Sequence, residues 1–501
     1  MAEILLTHSY HLFYDSKQIR KMQPYPPLGT LYAAALLRQS GHSVAVFDTM
    51  LNNPEQGFSE ALKRHRPKIV VLYEDNFNFL SKMCLTRMRE VAFDMVEASR
   101  RAGALVVANG SDASDCKADY LKAGFLCVLL WEAEWSLLAT VEELRKSSNP
   151  VLSEVPGIAY LDSAARVRET PRRPFTRNLD QFPLPARDLI ELGPYQHLWC
   201  SAHGFFSINM ISSRGCPYRC NWCAKPIYGN SFALRSAQQV AHEMQVLKHQ
   251  YGAEHIWFAD DIFGLKAAWV ADLAAEVGRL DAAVPFKMQS RVDLISAPTA
   301  QALRRAGCAE LWMGVESGSQ KILNAMDKGT RVEQIVSARE HLRREGIRAC
   351  YFIQFGYPGE NWEDIQLTVD LVRATRPDDV GVSVSYPLPG TKFYDRVRKQ
   401  LGAKTNWKDS GDISMMFQGA YTDEFYRALH DYLHAEVDSW TYAYPKPGAG
   451  TEPHAKTDQL WRHVVQLESS CRNTNPTALV ECMGDGLVQL RPADADPRSA
   501  I

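Results

Sequence analysis

The chain alternates strand-like and helix-like segments in two separate series, with a proline-rich stretch between them. No other sequence feature restricts the fold as much. Short apolar runs that lack polar alternation are strands buried on both faces, and such strands need helices on both sides. In the first series Ile4–Leu6, Val44–Phe47, Ile69–Tyr73, Leu105–Ala108 and Cys127–Leu130 read as parallel strands. Leu28–Gln39, Gln56–Arg64, Met83–Ala102 and Trp135–Arg145 carry helical periodicity between them, and Gly41 and Gly103 follow two of these helices as stops. The expectation for residues 1–145 is a doubly wound, Rossmann-like sheet of about five strands with ligands at their carboxyl ends.

Residues 146–205 break this rhythm with Pro150, Pro156, Pro171, Pro174, Pro183, Pro185 and Pro194, and read as a linker with a few short strands. The second series supplies strands at Phe206–Ile211, His255–Ala259, Phe286–Ser290, Glu310–Val315, Arg348–Gln354 and Asp379–Ser385. A helical segment follows each of the first five. The clearest is Ser236–Tyr251, where Ser236 and Gln239 form a capping box ahead of a stripe of Val240, Met244, Leu247 and Tyr251. Six such units over 206–400 make a partial (β/α)6 barrel of the TIM type, whose chemistry collects at the C-terminal strand ends. Residues 401–501 read as a small helical C-terminal region with one amphipathic helix, roughly Thr422–Trp440. A Pro- and Gly-rich segment, Tyr444–Pro453, and a disordered end, Pro492–Ile501, follow it. The fold class is α/β throughout.

At 501 residues the chain exceeds one ordinary core, which agrees with two or three domains. A net charge of −2 gives no field to recruit nucleic acid or an anionic membrane. The longest apolar runs, such as Phe125–Trp131, are far too short for a membrane span. Met1–Leu6 enters a strand-like run without a signal-peptide pattern, so a cytoplasmic location is expected. The eleven cysteines are odd in number and scattered, which argues against a disulfide framework.

Three cysteines do cluster. Ser213-Arg-Gly-Cys-Pro-Tyr-Arg-Cys-Asn-Trp-Cys223 follows the first strand of the second series with spacing C-x3-C-x2-C. Thiolates are the soft ligands that hold iron–sulfur clusters. Three of them on one loop can bind three irons of a [4Fe–4S] cubane and leave the fourth iron open to a small chelating ligand. A structural zinc site would need a fourth ligand, for which His203 is the nearest imidazole; a metal-free redox trio is the other alternative. The loop's place at the C-terminal end of a barrel strand favours a cofactor site.

At this point the sequence resembles the radical S-adenosylmethionine (SAM) superfamily, whose motif is C-x3-C-x-Φ-C with Φ here Trp222. The resemblance implies that Cys216, Cys220 and Cys223 hold the cluster and that the backbone of Trp222 lies near the SAM adenine. Downstream motifs keep register over 206–395: Phe258-Ala-Asp-Asp-Ile-Phe263, Ser290-Arg-Val-Asp293, Gly314-Val-Glu-Ser-Gly-Ser319, Phe355-Gly-Tyr-Pro-Gly-Glu360 and Pro387-Leu-Pro-Gly-Thr391. They imply SAM contacts at Asp260, Asp261, Arg291, Glu316, Ser317 and Gly356. Helix capping or surface ion pairing is the competing role for Asp260, Asp261, Arg291 and Glu316. Ala259-Asp260-Asp261 stands where the family pattern has Gly-Gly-Glu, so the resemblance there carries backbone contacts more than side-chain roles.

The first series is similar to the cobalamin-binding domains that precede many radical SAM domains. Pro26-Pro-Leu-Gly29, Gly41-His-Ser-Val-Ala-Val-Phe-Asp48, Asn109-Gly110 and Leu130-Trp-Glu-Ala-Glu134 carry the likeness. It implies cobalamin contacts at Gly29, Gly110 and Glu132, the alternative being a flavodoxin-like domain without cofactor. The Asp-x-His-x-x-Gly pattern that supplies a cobalt-ligating histidine is missing, and His8 and His11 occupy that loop, so cobalt without a histidine ligand is expected. Together these likenesses imply a B12-dependent radical SAM C-methyltransferase. Its cluster would reduce SAM to a 5′-deoxyadenosyl radical, and its cobalamin would methylate an unactivated carbon of a small molecule. A flavodoxin- or ferredoxin-type electron donor is the implied partner.

Ser414-Met-Met-Phe-Gln-Gly-Ala-Tyr421 with Phe425-Tyr426 also resembles the anaerobic magnesium-protoporphyrin monomethyl ester cyclases, which makes an oxidative cyclase of a porphyrin-type substrate the alternative. An iron–sulfur electron-transfer or sensor protein is the alternative of another class. Phe417, Tyr421, Phe425, Tyr426, Trp440 and Tyr442 read either as core or as the lining of an apolar substrate pocket.

Overall fold

The computed structural model describes residues 2–77, 84–146, 149–441 and 453–477. The first series folds into strands β1 (Ile4–Thr7), β2 (Val44–Phe47), β3 (Ile69–Tyr73), β4 (Leu105–Asn109) and β5 (Cys127–Leu129), all parallel. Their order is β2-β1-β3-β4-β5, so the direction of strand addition reverses between β1 and β3. In doubly wound sheets that reversal opens a crevice at the carboxyl ends, where ligands bind. Side chains alternate between two helix layers: Leu5, Val70, Leu72 and Val106 pack into one core, and Ile4, Leu6, Ile69, Val71 and Val107 into the other. The apolar runs of β1, β3 and β5 are therefore continuous because both faces are buried.

The segment expected to be a linker is built into this sheet. β6 (Ile158–Leu161) and β7 (Val167–Glu169) extend it antiparallel beyond β5 to seven strands, and the helix Gly193–His203 then leads to the second domain. The prolines rule out long helices but leave extended strands at a sheet edge open, which is how these residues use them.

The second series gives β8 (Ser207–Met210), a short ribbon of β9 (Ser213–Arg214) and β10 (Ala233–Leu234), then β11 (His255–Phe258), β12 (Phe286–Ser290), β13 (Cys308–Glu316), β14 (Arg348–Phe355) and β15 (Asp379–Val384). The six main strands are parallel and lie in chain order from β8 to β15, an open six-stranded barrel sheet. Ile256, Phe258, Phe286, Met288, Leu311 and Met313 pack outward against the surrounding helices. The helix expected at Ser236–Tyr251 spans Ala237–Gln250, and the Ser236 side chain accepts from the Gln239 N–H at its start.

Beyond the barrel, the helix Asp423–Thr441 is joined by a second, Pro453–Ser470, which the sequence reading did not anticipate. Its stripe of Leu460, Trp461, Val464 and Leu467 packs on the barrel core, and Trp461 stacks on Trp362 at 5.7 Å. The expectations for Pro492–Ile501 and nearly all of Tyr444–Pro453 fall outside the described residues. Phe417, Tyr421, Phe425 and Tyr426 are buried core, and the Trp440 indole donates to the Pro377 carbonyl at 3.0 Å. These four aromatics therefore fill space in the core, with Phe417 and Tyr421 also bordering a shallow surface pocket. Tyr442 lies outside the described residues.

Two buried arginines lock the connecting segment to the barrel. Arg187, from the stretch after β7, and Arg235, just after β10, both pair with Glu243 at 3.2 and 2.5 Å. Removing one partner of a buried ionic cluster leaves uncompensated charge. Glu243→Ala is therefore expected to lower stability by about 3–5 kcal/mol in denaturant unfolding, and a loss under about 1 kcal/mol would contradict this account.

Candidate functional site

The three clustered cysteines sit on an excursion, residues 215–232, closed at its base by the β9–β10 ribbon. Gly215 starts it at φ 77°, and a Cβ there would lie 2.3 Å from the Ser231 carbonyl oxygen, so only glycine makes this turn. Inside the excursion the Lys225 ammonium donates to the carbonyls of Cys216 and Tyr218 and to Asn230 Oδ1. Asn221, between the second and third cysteines, is held from three directions. Its N–H donates to the Met326 carbonyl, its side-chain amide donates to the Ala325 carbonyl, and its Oδ1 accepts from the Tyr357 hydroxyl at 2.7 Å. Neither Asn221 nor Tyr357 was singled out in the sequence, although an asparagine locked between two cysteines is a signal of loop positioning.

Cys216, Cys220 and Cys223 are each half-buried. Burial pushes the Cys216 thiol up, with Lys225 acting in the opposite direction. The Arg291 guanidinium lies 3.7 Å over the Tyr218 ring and 3.9 Å from Cys220 Sγ, with Asp293 holding it from behind at 2.9 Å. Among the described residues no three His, Cys, Asp or Glu side chains gather around one point, as a single metal ion would require. A cubane asks for something else, one thiolate on each of three irons, and three half-buried thiols on one pinned loop provide such a donor set.

The residues expected at SAM divide into two groups. Asp260 is fully buried and accepts from Ser212 N–H at 3.1 Å and from the hydroxyls of Ser212 and Ser213, which ties the end of β11 to the turn between β8 and β9. The Ser317 hydroxyl is 3.2 Å from that of Thr368 and accepts from the Ser319 N–H. The Gly356 N–H donates to Glu360 at 2.6 Å. These three brace the tops of the strands. Glu316 ends β13 at φ 64°, a left-handed conformation unusual for glutamate, where the β13–β14 register shifts, and Lys328 pairs with it at 2.7 Å in a buried ion pair. Lys328 is a further residue the sequence reading missed. Asp261 faces a cleft between the two sheets.

The cobalamin expectations resolve in another way. Gly29 starts the helix Leu28–Gln39 and donates its N–H to Asp75 Oδ1 at 3.0 Å. Gly110, at φ 149°, follows β4, and a Cβ there would lie 2.9 Å from Glu74 Cγ. Both glycines thus close on the Glu74–Asn76 loop after β3. Glu132 does not face the cleft lining. With Glu134 it holds the buried Arg214 guanidinium at 2.9 and 2.8 Å, and the Thr176 N–H adds a third contact. The His8 ring lies 2.9 Å from Asp48 and its Nε2 accepts from the Thr49 N–H at 3.1 Å, and His11 Nδ1 accepts from the Phe13 N–H. Burial would lower the His8 pKa, but its bond to Asp48 raises it overall.

The cleft itself opens where the carboxyl ends of the first sheet meet the barrel top, with about 1440 Å³ of empty space counting its open mouth. Glu74, Asp75 and Asp112 line it from the first domain, and Lys225, Tyr228 and Asp261 from the second.

Residues 210–372 match the profile of the radical SAM superfamily. The chain is 24% identical over 386 residues to an uncharacterized methyltransferase of Pyrococcus horikoshii, covering 76% of this chain and 81% of that one. It is 25% identical over 408 residues to the hopanoid C-3 methylase of Methylococcus capsulatus, covering 80% and 73%. Its fold is shared with the radical SAM methyltransferase TsrM from Kitasatospora setae, solved with cobalamin and a [4Fe–4S] cluster bound, at TM-score 0.66, 19% identity and 82% coverage of each chain.

Burial pushes the Asp260 carboxyl up to about 6, against the pull of its Ser213 and Ser212 hydrogen bonds. A folded pKa above the unfolded value means that the native state keeps a proton the unfolded chain releases. The contribution is complete below the unfolded value and lost as pH rises toward 6. Wild type should therefore lose about 3 kcal/mol relative to Asp260→Asn between roughly pH 3.5 and 6.5. Parallel unfolding curves for the two proteins across that range would refute the assignment.

Proposed function

We propose that this radical SAM protein, with its Rossmann-like domain seated against the barrel top, is a cobalamin-dependent C-methyltransferase acting on a small molecule. The observation that carries the reading is the joint placement of the cysteine excursion and the first sheet's carboxyl ends on one cleft. A cluster at Cys216, Cys220 and Cys223 and a cobalamin on the first sheet would, when bound, supply one-electron cleavage of SAM and a transferable methyl group.

The chain's own residues set the conditions for that chemistry. Lys225 and Asn221 fix the excursion, so the three thiols are presented without a folding step at each turnover. Arg291 brings a permanent positive charge beside Cys220, which offsets thiolate charge in a half-buried loop. The Glu316–Lys328 pair places a carboxylate and an ammonium at the end of β13, where a zwitterionic amino-acid group or a ribose diol finds complementary partners. Asp260 keeps the β8–β9 turn against β11, so the excursion leaves the barrel in one direction. The two domains wall the cleft from both sides, which limits how much water reaches a ligand seated deep in it. The exposed Arg219 and the half-buried Lys225 give the excursion a positive local charge suited to an acidic one-electron donor of the flavodoxin or ferredoxin type.

Anaerobic reconstitution with iron, sulfide and cobalamin, followed by reduction and SAM, tests the reading. About one cobalamin per chain and 5′-deoxyadenosine that falls at least about a hundredfold in Cys220→Ala are expected, with CD3 transfer from labelled SAM once a substrate is found. Deoxyadenosine without bound cobalamin would remove the methyltransferase mechanism and keep the radical enzyme.

A further inference from the structure

The first sheet reverses its strand order between β1 and β3, and the loops after those strands meet at one residue. Glu74 Oε1 accepts from both the N–H and the hydroxyl of Ser9, at 3.0 and 2.6 Å. Its other oxygen, Oε2, is buried without a partner. Asp75 repeats the arrangement: Oδ1 accepts from the Gly29 and Phe77 N–H groups, and Oδ2 is buried without a partner. Both side chains line the cleft, together with Ser9 and Ser111. Two neighbouring carboxylates, each with one oxygen fixed by backbone or hydroxyl donors and the other buried without a partner, are costly unless something in the cleft donates to them. Arg89 is committed to Asp112, which lines the same cleft, at 2.6 Å.

We propose that Glu74 and Asp75 are the hydrogen-bond acceptors for an uncharged ligand edge rich in N–H donors, the primary amides around the corrin ring of cobalamin. The inference rests on the cobalamin reading above and extends it to two residues that the sequence resemblance did not include. Three features favour an amide edge. The site lies at the switch point where this sheet type binds its ligand. The fixed oxygens are held by backbone and hydroxyl donors, so the open ones keep their direction. Gly29 and Gly110 leave no side chain between this loop and its neighbours, so the loop's position is set by backbone packing.

Complementary changes in ligand and protein test this. Full-length protein is titrated by absorbance with cobalamin and with cobalamin monocarboxylates, in which one peripheral amide at a time is hydrolysed. The titrations are run at pH 8, well above the value of about 6 to which burial pushes the Asp75 carboxyl. Wild type is expected to bind at least one monocarboxylate isomer about tenfold or more weaker than cobalamin, because a carboxylate there faces a carboxylate. Glu74→Gln or Asp75→Asn is expected to remove most of that ratio for the same isomer, and such a gain of binding also shows that the variant is folded. If every isomer keeps its wild-type ratio in both variants while cobalamin still binds, the assignment of these two residues is wrong and the two-cofactor reading stands. If wild type forms deoxyadenosine but binds no cobalamin, the two-cofactor reading falls and this inference with it.

Discussion

The buried guanidinium of Arg214 is the electrostatic constraint on which the joint between the two domains depends. Its guanidinium is almost wholly out of water, between Glu132 and Glu134 of the first domain and within 6 Å of the rings of Phe182, Tyr32, Phe77 and Tyr228. A lone charge buried this deeply would cost several kcal/mol, so the arrangement persists only because both carboxylates and the aromatic faces are present together. Arg214 is also the last residue of β9, two positions before Cys216. The pairing that joins the domains therefore also sets where the cysteine excursion begins. The segment that the family likeness linked to cobalamin, Leu130–Glu134, acts here as a mount for the cysteine loop.

Bracing of this kind recurs around the site. Asp260, Ser317, Gly356 and Asn221 each spend their hydrogen-bonding groups on neighbouring strand ends or loops, and the half-buried thiols, Arg291 and the Glu316–Lys328 pair are held among them. A site built this way has its geometry set before any ligand arrives, which lowers the entropy cost of ordering reactants.

Most of the fold could be read from the sequence because buried parallel strands write themselves as continuous apolar runs. The boundaries of β2, β3 and β12 are those expected, and the other main strands differ by a few residues at most. The failures have physical causes. A few short strands were expected in the proline-rich stretch, but β6 and β7 are too brief for periodicity to show that they extend the first sheet. The helix Pro453–Ser470 does carry an apolar stripe, but the preceding Pro- and Gly-rich residues masked its start. At the site, the cysteines were legible because their chemistry fixes their spacing. Glu74, Asp75, Asn221 and Lys328 were not, because their roles depend on partners 12 to 136 residues away along the chain.

The connecting segment has a dynamic consequence. A hinge needs a few residues that can absorb backbone rotation without breaking packed contacts. Here the stretch between the domains contributes two strands to the first sheet and anchors Arg187 against Glu243, and Tyr195 from its helix donates to Asp48 at the end of β2. Swinging the domains apart would break the buried Arg187–Glu243 pair, because Tyr195 and the two strands hold the connecting segment to the first sheet. Separation of the halves by a hinge is therefore opposed by packed contacts on both sides of the connection, and the way into the cleft is its open mouth.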